Sequence, residues 1–101
     1  MNFADLKNEQ IRLTILHLLT TAPGYEANDS ELGGLVRTFG HKISHDALRT
    51  QLAWLAEQGL LIVETVSGAR QVAKLTLRGE DAAYGRAIIP GVKRPGPEDT
   101  L

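Results

Sequence analysis

Two blocks of positive charge are the clearest chemical feature of this sequence. Residues 34–49 carry three cations, Arg37, Lys42 and Arg49, against one acid, and residues 65–94 carry six cations against two acids. Clustered lysine and arginine side chains can neutralise the phosphates of a nucleic acid. The whole chain has a formal net charge of −1, so composition alone does not indicate a polyanion partner.

Other chemistries find little support in the residue types. His41 and His45 have the spacing of a helical metal site, but Ser44 is expected to begin a helix between them, which separates the two rings. There is no cysteine, which excludes disulfides, thiolate zinc sites and cysteine nucleophiles. Motifs of a nucleophile elbow, a phosphate-binding glycine loop and HExxH are missing too. We therefore expect neither an enzyme nor a bound metal or cofactor.

The bulk composition is typical of one small globular domain. The chain has 101 residues, of which 43% are hydrophobic and 23% are charged. Residues 1–10 mix acids and bases where a signal peptide needs an apolar block, and no apolar run reaches the length of a membrane span. We expect a cytoplasmic protein with no membrane partner and no small-molecule ligand.

Two helices are predicted ahead of the first basic block. The first runs from about Leu6 to Thr21, capped by Asp5 or alternatively by Asn2, and ends at Pro23-Gly24. The second starts at a capping box that Asn28 forms with Glu31 and reaches about Phe39. Its buried face is predicted to contain Leu32, Leu35, Val36 and Phe39. Gly33-Gly34 either weakens this helix or allows close packing on a neighbouring one.

A third helix and a hairpin come next. Ser44 is predicted to cap a helix that buries Leu48, Leu52 and Leu55 and ends at Gly59, with Trp54 at the edge of the core or, alternatively, in contact with another protein. Residues 60–66 and 70–75 are predicted to be strands of a two-stranded hairpin. Thr76 is predicted to cap a short helix over residues 77–86. We assign residues 1–87 to the domain and 88–101 to a flexible, disordered tail rich in proline and glycine.

This order resembles the winged helix-turn-helix domain of ArsR- and MarR-type bacterial regulators. In those families a serine-led helix carries leucines at the spacing of residues 48, 52 and 55, followed by an exit like Glu57-x-Gly59-Leu60. The run Leu75-Thr76-Leu77-Arg78-Gly79 resembles the segment that often follows the wing. The chain also resembles small proteins of Mu-like phages and prophages through residues 8–13, 22–25 and 90–95. The fold class expected is α+β and mostly helical, with a three-helix core and a two-stranded β-hairpin wing.

The resemblance implies a DNA-binding protein, a phage-type transcriptional regulator that reads duplex DNA with helix 44–58 and the wing 60–75. In that reading Arg49 pairs with guanine or with a phosphate. The DNA-contacting candidates are Arg37, His41, Lys42, Ser44, His45, Arg49, Thr50, Arg70 and Lys74. The alternative is a protein-interaction module or adaptor on the same fold, because fold alone does not fix function. Double-stranded DNA is the expected partner. The further candidates are a second copy of the chain, which would give a homodimer, and another protein.

Overall fold

Four helices and a three-stranded antiparallel sheet form the fold in this computed structural model, which describes residues 1–97. In order, the elements are α1 (Phe3–Thr21), a 3-10 turn (Pro23–Tyr25), β1 (Glu26–Asn28), α2 (Asp29–Thr38), α3 (His45–Glu57), β2 (Leu61–Thr65), β3 (Gln71–Leu75) and α4 (Leu77–Ala83). The mostly helical α+β class is confirmed. Within residues 1–97, none of the helices combines the length and the apolar character that crossing a membrane requires.

The helix starts follow the capping chemistry of the sequence. Asn28 Oδ1 accepts the Glu31 amide at 2.8 Å while the Glu31 carboxylate accepts the Asn28 amide at 3.1 Å, which confirms the capping box. Ser44 and Thr76 cap α3 and α4, also as predicted. Helix α1, however, starts at Phe3 and not near Leu6. The alternative cap, Asn2, accepts the Asp5 amide at 2.9 Å and so adds nearly a turn.

The core lies where α1, α2 and α3 meet the sheet. The side chains of Leu48, Leu52 and Leu55 are fully buried, as predicted for α3. On α2 the prediction is half wrong, because Leu35 is 44% exposed and Phe39 58% exposed. The inner face of α2 holds Asp29, Leu32, Gly33 and Val36, a spacing that turns residues 35 and 39 outward.

The two glycines of α2 have different environments. A Cβ added at Gly33 would lie 3.3 Å from the Leu48 side chain, so this glycine allows close approach of α2 and α3. Of the two alternatives predicted for these glycines, a weak helix or close packing, close packing is therefore the one found at Gly33. Gly34 has open space where a side chain would be, and its cost in helix propensity is not offset by packing.

The sheet has one strand more than the sequence predicts. The predicted hairpin is present as β2 and β3, but β1 also pairs antiparallel with β3, giving the order β1-β3-β2. The two-stranded sheet is therefore a wrong prediction. Strand β1 has three residues, too few to show a period of two, and its partner lies far along the chain. Ala27, Ala73 and Val63 share one row on the core side of the sheet.

The C-terminal segment packs on the domain in residues 88–97, where a disordered tail is predicted. Ile89 and Val92 are buried, because their side chains extend the core beyond α4. Arg12 lies 3.9 Å above the Trp54 ring and donates a hydrogen bond of 2.9 Å to the Gly91 carbonyl. Trp54 is thus partly buried at the edge of the core, between α1 and this segment. Residues 98–101 of the predicted tail lie outside the described residues.

Candidate functional site

The N-terminal half of α3 presents its polar side chains outward. Leu48 and Leu52 fix the rotation of the helix about its axis by packing inward, and Ser44, His45, Asp46 and Thr50 are exposed as a result. The Thr50 hydroxyl donates to the Asp46 backbone carbonyl at 3.1 Å, an ordinary contact within a helix. This face was predicted to carry contacts, and its exposure leaves it open to a partner.

Arg49 is held by an acid that the sequence reasoning did not single out. Its guanidinium lies 2.7 Å (Nη2) and 2.9 Å (Nε) from Asp29 Oδ2, at the start of α2. Nη2 also donates to the Ala69 carbonyl in the turn between β2 and β3. One arginine therefore joins α2, α3 and this turn. These contacts explain how the turn is held beside α3. They also occupy the guanidinium that was expected to contact guanine.

Asp29 remains ionised although its side chain is buried. Burial by itself would raise the pKa of this carboxyl. The hydrogen bonds and charge of Arg49, the Ser30 amide at 2.9 Å and the nearby His45 together outweigh burial and hold the Asp29 pKa below its usual 3.8. His45 Nε2 lies 3.3 Å from Asp29 Oδ2. A buried carboxylate thus organises two of the predicted site residues.

A cleft of about 570 Å³ lies between α3 and the β2–β3 turn. Its walls are formed by Asp29, Ser30, His45, Arg49, Val66, Ser67, Ala69 and Arg70. Asp29 compensates the charge of Arg49, whereas Arg70 is exposed and makes no ion pair with any residue from 1 to 97. The cleft can therefore hold an anionic group through Arg70, the imidazole of His45 and two serine hydroxyls.

A second depression, of about 600 Å³, is formed at the turn between α2 and α3. It is lined by Arg37, Gly40, His41, Lys42, Ile43 and Ser44. Arg37 donates to the Ile43 carbonyl at 3.1 Å, which keeps its charge near the first turn of α3. Partial burial, and to a lesser extent the charge of Lys7, lower the pKa of His41 below 6.5. The shift favours the neutral imidazole of His41, whose Nε2 lies 3.2 Å from Thr14 Oγ1.

The structure thus gathers seven of the nine predicted site residues around the start of α3. His45, Arg49 and Arg70 line the cleft, and Arg37, His41, Lys42 and Ser44 line the second depression. Thr50 and Lys74 line neither. Lys74 lies in the middle strand of the sheet, directly opposite Glu26 on one side and Ile62 on the other. Its nearest cross-strand charge is therefore an acid.

Five further residues line the cleft. Val66, Ser67 and Ala69 belong to the predicted wing 60–75, whereas Asp29 and Ser30 were missed by the sequence reasoning. One signal was present, since Asp29 precedes Leu32 by three positions and Val36 by seven, which puts it on the inner face of α2. An acid in such a position needs a cationic partner. The identity of that partner, Arg49, depends on how α2 and α3 pack and carries no signature in the sequence.

Comparison with known proteins places the chain among phage proteins. No family model matches the sequence. It is 46% identical over 93 residues to "Uncharacterized protein gp26" of Escherichia phage Mu, covering 92% of this chain and 95% of that protein. It is 42% identical over 78 residues to "Uncharacterized protein" of Haemophilus influenzae (strain ATCC 51907 / DSM 11121 / KW20 / Rd), covering 77% of this chain and 76% of that protein. At this identity and coverage, the chain belongs to the family of phage Mu protein gp26.

Proposed function

We propose that this protein binds duplex DNA through the N-terminal half of α3 and the β2–β3 turn. The observation that carries the proposal is the position of three cations, Arg37, Lys42 and Arg70. None of them makes an ion pair within residues 1–97, and they line two separate depressions that both include residues from the exposed start of α3. Cations on both sides of a helix that enters a groove can contact the two phosphate backbones.

The arrangement of elements supports a winged helix-turn-helix as the fold behind this function. Helix α2, a short turn and helix α3 would form the helix-turn-helix, with α3 in the major groove. Strands β2 and β3 would form the wing, and β1 would complete its sheet on the far side of β3. The contact from Arg49 to Ala69 ties the tip of this wing to α3, so that both elements approach DNA as one unit. The similarity to phage Mu protein gp26 is the reason to propose a regulator of phage type.

A titration of labelled duplex DNA, followed by fluorescence anisotropy, tests the proposal. Phage promoter fragments should bind at about 50 mM salt, and log K should fall linearly with log salt. The double variant Lys42→Ala/Arg70→Ala should bind more weakly, with a salt slope smaller by about 0.9 for each cation removed. Arg86→Ala serves as the matched control, because Arg86 already pairs with Glu80 and Asp81 on α4.

Two outcomes would contradict duplex binding by this face. One is the lack of binding to any fragment at low salt by protein that is folded. The other is binding that the double variant and the control reduce equally, because the cations beside α3 would then have no special role.

A protein-interaction module is the second candidate, and one observation favours it. Leu35 and Phe39, four residues apart at the end of α2, are exposed although both are large and apolar. Such residues contribute strongly when a partner covers them. If the double variant Leu35→Ser/Phe39→Ser abolishes recovery of a stoichiometric protein from phage-infected cells, and no DNA binds, the adaptor role is the correct one.

A further inference from the structure

The outer face of α3 has no lysine, and its one arginine is held by other elements. Four of its exposed side chains recur at positions i, i+4, i+7 and i+11, and we call this row the outer stripe: Asp46, Thr50, Ala53 and Glu57. Arg49 borders the stripe but is held by Asp29 and by the β2–β3 turn. Base recognition by this stripe would therefore use carboxylates, a hydroxyl and a methyl group.

Asp46 is the member of the stripe best placed to contact a base. It lies in the first turn of α3, and the N-terminal residues of a recognition helix are those that contact base edges. Its side chain is exposed and makes no hydrogen bond or ion pair with the rest of residues 1–97. Arg70 in the cleft, and Arg37 and Lys42 in the second depression, can offset its repulsion of phosphate.

Resting on the proposed DNA binding, we propose that Asp46 selects cytosine at one position of the target site. A carboxylate only accepts hydrogen bonds. In the major groove, guanine presents the acceptors N7 and O6, thymine presents O4, and adenine presents N7 beside its amine. Cytosine alone presents a donor amine, N4, without a neighbouring acceptor on the same base. The Asp46 carboxylate therefore gains most from cytosine. The acceptors of guanine and thymine repel it, and adenine places the acceptor N7 beside its amine.

The competing explanation for Asp46 is purely structural. An acid in the first turn of a helix interacts favourably with the helix dipole. That role affects folding stability and is indifferent to the DNA sequence. The two explanations separate through the change Asp46→Asn, because asparagine pairs with adenine through its N6 and N7 atoms. A reading role predicts that the preferred base changes from cytosine to adenine, whereas a structural role predicts no change.

The experiment selects binding sites from a randomised duplex library with the unaltered protein and with Asp46→Asn. Anisotropy titrations then compare the four bases at the position identified. The unaltered protein should prefer cytosine by about 5- to 140-fold, the range typical of one specific base contact. Asp46→Asn should lose this preference and favour adenine. Glu57→Gln removes the same charge from the last turn of the stripe and should keep the preference for cytosine.

A chemical change in the DNA tests the same contact without altering the protein. N4-methylcytosine keeps its Watson–Crick pair but presents a methyl group in place of the major-groove N–H. It should weaken binding of the unaltered protein by a similar factor and leave Asp46→Asn unaffected. If Asp46→Asn keeps the cytosine preference, or if N4-methylation has no effect, Asp46 does not read cytosine even though DNA is bound. If no duplex binds at all, the proposed function itself fails, and this inference fails with it.

Discussion

Replacing Asp29 by asparagine should destabilise the protein by a predictable amount. The change keeps the size of the side chain and can keep the hydrogen bond from the Ser30 amide. It removes the negative charge that accepts a hydrogen bond from Arg49 Nε and pairs with Arg49 Nη2 at 2.7 Å. The Arg49 guanidinium then has no charged partner in the cleft and must turn to the solvent.

The size of this loss of stability follows from the burial of Asp29 and Arg49. A hydrogen bond to a charged group contributes about 1.5–3 kcal/mol, and losing one partner of a fully buried pair costs about 3–5 kcal/mol. The Asp29 side chain is only 2% exposed, but that of Arg49 is 29% exposed, so water can reach the guanidinium after the change. We therefore expect a loss of about 2 kcal/mol in the free energy of unfolding. For a domain of this size this lowers Tm by about 8–16 °C.

Urea unfolding of four proteins measures the effect and its cause: the unaltered chain, Asp29→Asn, Arg49→Met and the double variant. The interaction energy of the two residues should be about 1–2 kcal/mol. Glu57→Gln provides a control, because it removes an exposed acid from α3 and should change stability by less than about 0.5 kcal/mol. An Asp29→Asn variant as stable as this control would refute the role given to the ion pair.

The pH dependence offers an independent check of the same pair. Because the folded protein lowers the Asp29 pKa below 3.8, ionised Asp29 stabilises the fold at every pH above that value. The contribution is lost as the pH falls through the folded pKa. The stability difference between the unaltered chain and Asp29→Asn should thus stay constant from neutral pH down to about pH 5 and shrink below 3.8. A difference that persists unchanged at acid pH would mean that the carboxylate charge is not the cause.

Three further changes probe the packing around the site. Gly79→Ala should lower the free energy of unfolding by about 3 kcal/mol, because the new methyl would overlap the Leu60 carbonyl just before β2. Gly34→Ala should raise it by about 0.5–1 kcal/mol, because its methyl points into open space on α2. Thermal unfolding measures both changes. Gly91→Ala should shift the fluorescence of Trp54, since the added carbon would lie 2.6 Å from its ring; an unchanged spectrum would contradict the close contact. An NMR titration should give His41 a pKa below 6.5. The contribution of neutral His41 to the free energy of unfolding should be lost as the pH falls through this measured pKa. A pKa at or above 6.5 would contradict the burial of His41 beside Lys7.

Local patterns in the sequence predict the helices and the hairpin well. Asn28 with Glu31, Ser44 and Thr76 are capping residues whose partners lie three positions away, so the sequence alone contains the whole interaction. The leucine spacing of α3 specifies its inner face in the same way. Errors arise where a partner is distant. Strand β1 is held by β3, and residues 88–97 are held by α1 and Trp54, contacts that no short window reveals.

The same distinction between neighbouring and distant partners applies to the candidate site. The two basic blocks, the cap of α3 and the outward face on which Asp46 and Thr50 lie all follow from residue types and their spacing along the chain. The contact between Asp29 and Arg49, which removes one cation from that face, follows instead from the packing of α2 against α3. An ion pair between residues on different helices depends on the packing of α2 against α3, which Gly33 permits and the buried leucines enforce. Side-chain types fix what charge is available, and packing fixes which of those charges remain exposed to a partner.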